Sequence, residues 1–343
     1  MLAIAHDRYG PPDTLQLVER ERPRLRRPTD VLLRVHAASL HIADSFVVRG
    51  SPGLVRLGFG LLRPRQPIVG QDCAGIVVEV GPAVRRLRPG NLVFGIADGS
   101  CAEFARADER HLALLPLDLD PIEAAALPTA GLAALHGLRD AGRLRAGQRL
   151  LVHGAAGGVG SCAVQLGKAF HAEVTAVCST RNVEWMRRLG ADHVIDHTQH
   201  DWTLSDERYD VILDNVENLP LGARRRRLAE NGTLVCNSGT GASGLRFLGR
   251  LLAPVLLAPF VGQRLRRYLS TPNADDLDLL ADLVTARQLR PFVERTYPLA
   301  ATREALLHVE SGRVRGRVVV VVARDPTTRH EDSAHGRLAP LGR

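Results

Sequence analysis

Lysine is almost missing from this 343-residue chain: of its 45 basic residues only Lys168 is not arginine. The formal net charge is +8, which favours anionic partners, phosphorylated cofactors and nucleic acid alike. Aromatic residues are also scarce, at 4%. That is too few for the stacking platforms that hold single-stranded bases, so no specific nucleic-acid partner is expected. The cysteines Cys73, Cys101, Cys162, Cys178 and Cys236 stand far apart and form no C-x-x-C pair. Their spacing excludes a disulfide framework or a four-cysteine zinc lobe and fits a reduced, cytoplasmic setting. No apolar run reaches the ~18 residues a membrane span requires, and MLAIAHDRYGPPD puts Asp and Pro where a signal peptide needs an apolar core. No membrane partner is therefore expected. The nearest approach, LLAPVLLAPFVG at 251–262, is broken by two prolines and reads as buried core or an oligomer-facing segment. After residue 322 the polar, unpatterned stretch 323–343 reads as a disordered tail.

What is present divides near residue 120. Hydrophobic residues make up 45% of the chain, enough for a sizeable core, and the length suggests two domains. Before residue 120, the β-like runs VLLRVHAAS, CAGIVVEVG, NLVFGI and AEFARA alternate with Gly and Pro turns, as in a small, partly closed β-barrel. Beyond it, strand-like runs (LLVHG, EVTAVC, DHVID, YDVILDN, GTLVCNS) alternate with helix-like ones, the last helix reaching about Glu230. Apolar strands separated by helices signal a parallel sheet with crossovers. A helical pattern at 274–289 leads to the β-like segments RPFVERTYPLA and GRVRGRVVVVV, which are expected to return to the first domain.

The most informative stretch is HGAAGGVGS, where a strand runs through Gly154, Ala155, Ala156, Gly157, Gly158, Val159 and Gly160 into a helix. Glycine permits a tight turn and close approach of a pyrophosphate, and the helix N-terminus supplies free N–H groups. A dinucleotide with two ribose hydroxyls to grip would call for Asp or Glu about twenty residues on. The chain instead offers AVCSTRNVE, with Ser179 and Arg181, a hydroxyl and a guanidinium suited to a 2′-phosphate. NADPH is the expected cofactor, with His197 as a further phosphate contact. Ser179 as a mere N-cap and Arg181 as a solvated side chain form the structural alternative.

Together these residues resemble the medium-chain dehydrogenase/reductases of the zinc-independent quinone oxidoreductase type. The resemblance runs over about 1–322, through AIAHDRYGPPDTLQL, VGQDCAGIVVEVGPAV, AAALPTAGLAALHGL, HGAAGGVGSCAVQLGKAF and GRVRGRVVVVV. It implies an α/β fold: a GroES-like β-barrel catalytic domain (1–120 and 271–322) and a Rossmann NADP-binding domain with a doubly wound parallel sheet (121–270). It also implies NADPH-dependent reduction of quinones or of the C=C bond of α,β-unsaturated carbonyls, and a homodimer. Zinc-dependent relatives carry an early Cys and a His-Glu pair; here the matching positions read ASLHIADSF and Gln71-Asp72. Tetrahedral zinc wants three protein ligands, so no metal is expected, and His41 and Asp72 read more simply as a hydrogen-bonding pair.

Without a metal, hydrogen bonds must polarise the substrate carbonyl. His41 stands where the family often places Asn and is the leading catalytic candidate, a structural loop histidine being the alternative. Some relatives place Tyr a few residues on, where this chain has Ser45 and Phe46. Thr129 matches a hydroxyl position near the nicotinamide, though a Thr after Pro can simply cap a helix. Asn215 and the strand end VCNSG (235–239) are expected to line the nicotinamide and ribose. Glu217, unfavourable beside cofactor phosphates, is expected to point outward. Cys73 and Cys178 would be reactive only if exposed, and the insert SPGLVRLGFGLLRPRQP (51–67) is expected to help form the substrate pocket. A zinc-free alcohol or ketol dehydrogenase, and a nucleic-acid-binding or structural role, are the competing functions.

Overall fold

The computed structural model describes residues 1–237 and 261–322, with a few positions between 249 and 258. The tail 323–343, with Ser238 and Gly239, lies outside the described residues. So does part of 251–262, where Leu257, Ala258 and Val261 pack against the cluster around Trp202 and Leu265.

The strands, in chain order, are β1 (Leu2–Ala5), β2 (Gln16–Glu19), β3 (Asp30–Leu40), β4 (Asp72–Val80), β5 (Leu92–Ile96), β6 (Phe104–Asp108) and β7 (Leu112–Leu114). They continue with β8 (Arg149–His153), β9 (Glu173–Cys178), β10 (His193–Asp196), β11 (Tyr209–Asp214), β12 (Leu228–Cys236), β13 (Arg264–Arg267), β14 (Val293–Pro298) and β15 (Arg317–Val321). One sheet takes the order β14-β15-β3-β4-β5-β7, with β6 pairing β3. The eleven-residue β3 serves three neighbours by bending at two register shifts against β4. The late strand β15 pairs antiparallel with β3, so both arms of the sequence complete one barrel-like sheet, as the patterns at 293–321 suggested.

The second sheet is parallel and ordered β10-β9-β8-β11-β12-β13. Leu150–Val152 in β8 and Val211–Leu213 in β11 are buried without alternation, as strands covered on both faces must be. The order reverses between β8 and β11, and a doubly wound sheet binds its ligand in the crevice at that switch point. Two details depart from the sequence reading. The helix after β11 is Leu221–Arg226 and stops short of Glu230, because β12 already begins at Leu228. The edge strand β13 has the sequence RLRR, in which only Leu265 is buried, so no apolar pattern announces it.

Candidate active site

The glycine loop leaves β8 at Gly154, which has φ +74°, a conformation costly for a side chain. The helix Gly158–Ala169 follows. A Cβ on Gly160 would lie 2.2 Å from the Gly154 carbonyl oxygen and 2.6 Å from the Ala155 Cα, so that glycine is fixed by helix-to-strand packing. A Cβ on Gly157 would meet nothing nearer than 3.7 Å, so the loop's own backbone leaves room there. Gly157 caps the helix without a side chain, and the N–H groups of its first turn have no intrahelical acceptors. Ala155 is fully buried with its N–H on the Val177 carbonyl, and Val159 packs half-buried on the core. The loop thus fits the pyrophosphate of a dinucleotide, which backbone donors and the helix N-terminus would hold.

Both sheets meet at this loop. The Ala156 carbonyl accepts the Gly316 N–H at 2.9 Å, and Gly157 and Gly316 form a backbone bridge. The next residue, Arg317, is buried, and a Cβ on Gly158 would lie 2.5 Å from its Cδ. Its guanidinium donates to Ser39 Oγ at 3.0 Å and to the Asp72 carboxylate. Asp72 is fully buried and also accepts from the Thr129 hydroxyl (2.5 Å) and the Thr129 N–H (3.2 Å). Burial raises the Asp72 pKa, while Arg317 and the Thr129 hydroxyl oppose that rise. Thr129, in the first turn of the helix Pro128–Leu135, therefore spends its hydroxyl on Asp72 rather than on capping.

His41 precedes the helix Ile42–Arg49. Its partner is not Asp72, as the sequence suggested, but Asp44: the His41 N–H donates to Asp44 Oδ2 at 2.8 Å, and Nδ1 lies 3.4 Å from the same oxygen. The helical i,i+3 spacing makes this the nearer acid, whereas Asp72 is held by Arg317 and Thr129. Burial, helped by the positive charge of Arg317, lowers the His41 pKa to about 4. Burial lifts Asp44 to about 6 against the His41 N–H and Arg317. The imidazole is neutral near pH 7, and its Nε2 is buried with no hydrogen-bond partner. An orphaned buried polar atom is costly unless another group satisfies it.

At the other end of the crevice, Ser179 follows β9 as the N-cap of the turn Thr180–Asn182, but its hydroxyl caps nothing and accepts from Asn182 Nδ2 at 3.1 Å. Arg181 is exposed; its guanidinium donates to the Arg313 carbonyl, and Arg315 returns a bond to the Arg181 carbonyl at 2.5 Å. Among the described residues no carboxylate forms an ion pair with these three arginines. Arg313 and Arg315 were missed in the sequence, where they sit 132 and 134 residues away. The hint was the R-x-R-G-R spacing ahead of the last strand. His197 is exposed beside this region, its N–H on the Cys178 carbonyl.

Under the crevice lies a buried polar cluster. His153 Nδ1 meets Asp214 Oδ1 at 2.8 Å, and Arg224 donates to Asp214 Oδ2 at 2.8 Å. Burial pushes Asp214 up, yet His153, Arg224 and the Glu217 N–H outweigh it and hold the carboxyl well below the usual range. Asn215 sits above this cluster, bonded to the His153 carbonyl (3.1 Å) and to Asn237 Nδ2 (2.7 Å). Glu217 does not point outward: it is buried at φ +55°, with Arg267 donating to its carboxylate at 2.6 Å. The strand β13, unannounced in the sequence, supplies the cation that makes this burial tolerable. All five cysteines are free and buried, and burial lifts Cys178 to about 11, so neither it nor Cys73 is a reactive thiol at neutral pH.

A family model described as alcohol dehydrogenase GroES-like domain matches residues 27–120, and one described as zinc-binding dehydrogenase matches 189–320. The bovine mitochondrial NAD(P)H oxidoreductase RTN4IP1 is 32% identical, over 94% of this chain and 89% of its own length. The chain belongs to the medium-chain dehydrogenase/reductases of the quinone oxidoreductase type. It is an oxidoreductase that uses a nicotinamide cofactor. Its fold superposes on the quinone oxidoreductase of Coxiella burnetii with a TM-score of 0.81 and 31% identity, covering 94% of this chain and 99% of that one. Tomato 2-methylene-furan-3-one reductase is 30% identical over 93% of this chain and 79% of its own length. Against the zinc-binding description, no group of three or more His, Cys, Asp or Glu converges on a metal position among the described residues. Asp72 is already committed to a guanidinium. This donor set does not fit zinc.

Proposed function

We propose that this member of the family is an NADPH-dependent reductase of quinones or of the C=C bond of α,β-unsaturated carbonyls that works without zinc. The observation carrying this reading is the neutral His41 imidazole with its buried, unpartnered Nε2. When bound, NADPH supplies the hydride. The chain's own task is then to stabilise negative charge developing on the acceptor's carbonyl oxygen. His41 donates from Nε2 when the His41–Asp44 pair holds two protons, with Asp44 protonated and donating to Nδ1. Arg317 and Thr129 anchor Asp72 and keep a charged carboxylate away from that oxygen.

Ser179 and the arginines Arg181, Arg313 and Arg315 favour a 2′-phosphate, which gives NADPH preference over NADH. Gly154–Gly160 hold the pyrophosphate, His197 lies at the phosphate end, and Asn215 closes the nicotinamide side. A homodimer in a reduced cytoplasm, acting on a small-molecule substrate, suits five buried thiols.

The test is NADPH consumption by metal-free protein against a quinone, a vinyl ketone, a saturated aldehyde and, with NADP⁺, a secondary alcohol, with products identified by mass. Reduction of the quinone or the C=C bond, with NADH clearly poorer, is expected. Turnover confined to aldehyde and alcohol, or only after zinc is added, would overturn the proposal.

A further inference from the structure

The insert between the helix Ile42–Arg49 and β4 combines two features of sequence and exposure. From Ser45 to Gln71 there is no Asp or Glu, while Arg49, Arg56, Arg63 and Arg65 are present. In the same stretch large apolar side chains face solvent: Leu57 is 62% exposed, Leu61 64% and Leu62 93%. Leu54 and Phe59 are exposed beside them. Apolar residues exposed singly need no explanation, but five within nine positions form a patch of the kind that marks an interaction surface.

The patch is not a loose loop. The Tyr9 hydroxyl donates to the Gly60 carbonyl at 2.5 Å, and Arg56 stacks over the Tyr9 ring at 4.8 Å while donating to the Gly50 carbonyl at 3.0 Å. Arg49 is likewise spent, on Glu310. These bonds fix the short helix Val55–Phe59 against the body and leave Arg63 and Arg65 exposed next to the leucines, with no carboxylate partner among the described residues. Leucine and phenylalanine presented together with these guanidiniums, in a stretch of chain free of acids, match an anionic lipid interface. There the apolar side chains enter the acyl boundary and the arginines meet headgroup phosphates.

We infer that residues 54–65 form a docking surface for an anionic bilayer. Nothing here requires a spanning segment, and among the described residues no helix is long and apolar enough to cross a membrane. The expectation of no membrane partner came from spanning segments alone. The patch lies past the far end of the eight-residue helix that begins beside His41, a helix ~12 Å long. A chain seated this way holds its candidate active site close to the interface, within reach of acceptors dissolved in the lipid.

The experiment reads binding alone and needs neither cofactor nor substrate, so its outcome is independent of the reaction proposed above. Full-length protein is floated with phosphatidylcholine vesicles with or without about one-third phosphatidylglycerol. Flotation is expected only with the anionic vesicles. Arg63→Gln with Arg65→Gln should cut the partition coefficient about thirty-fold, and Leu57→Ser with Leu62→Ser at least about tenfold, with melting temperatures unchanged. A second readout uses Gly58→Cys, because a Cβ there has nothing within 4 Å and the five native thiols are buried. A polarity-sensitive fluorophore on that cysteine should shift to the blue on anionic vesicles. Absence of flotation, flotation unaffected by either pair of substitutions, or a wild-type dimer that the leucine substitutions convert to monomer would overturn the inference. The last result would assign the patch to contact between two copies.

Discussion

The two ends of the crevice are built on opposite principles. Around Asp72 every strong group is already satisfied inside the protein: Arg317, Ser39, Thr129 and Asp72 hold one another in a closed, buried set. Around Arg181 the bonds of the guanidiniums are to backbone carbonyls: exposed Arg181 donates to that of Arg313, and half-buried Arg315 to that of Arg181. Charges that must keep a fixed geometry are paired and buried, where removing one partner is expensive. The charges proposed to receive the 2′-phosphate rest on weak placeholders that a phosphate can displace at little cost. His41 Nε2 breaks the rule at the closed end, being buried and yet unsatisfied.

Substitutions can break or sharpen that contrast. The largest effect belongs to the loop both ends share. Gly160→Val places side-chain atoms on the Gly154 and Ala155 backbone and should cost about 3 kcal/mol or more of stability, read as a collapse of the denaturation midpoint. Next, Arg317→Met leaves Asp72 buried without its cation, an expected loss of about 3 kcal/mol that adding Asp72→Asn should partly restore. Full stability in the single variant would show that the closed set is not one unit.

His41→Ala should leave the melting temperature nearly unchanged while lowering kcat/KM about 10²-fold; a normal rate would return His41 to a structural role. At the open end, Arg181→Ala should raise the Kd for NADPH about tenfold and leave that for NADH unmoved, which equilibrium fluorescence titration can read. Equal weakening of both cofactors would remove the 2′-phosphate assignment. The smallest effect is one of pH. The donor form of the His41–Asp44 pair loses a proton as pH rises through about 6, so kcat should be flat just below that value and decline above it. Asp44→Asn should abolish that decline.

How much of this could be read in the sequence follows the same division. The parallel sheet was legible because β8, β9 and β11 are unbroken apolar runs, and the loop because its glycines stand between a strand and a helix. Ser179 and Arg181 are candidates reached by counting along the chain from that loop. Arg313 and Arg315 were not, because their proximity comes from β15 returning to β3, a contact spanning most of the chain. Asp44 was not singled out, since only burial makes its carboxyl unusual. Glu217 was misjudged because its cation sits on β13, a strand of arginines whose pairing to β12 supplies what its composition does not.

The backbone bridge between Gly157 and Gly316 carries one more consequence, for anyone recombining these enzymes. The pattern break near residue 120 invites grafting the nucleotide-binding module from one homologue onto the barrel of another. Yet residues 313–317 complete that module from the far arm of the chain, so a graft that leaves them behind separates the phosphate loop from its seam and Arg181 from its neighbours. The proposed cofactor site is therefore discontinuous in sequence, and a chimera that keeps it must exchange both pieces at once.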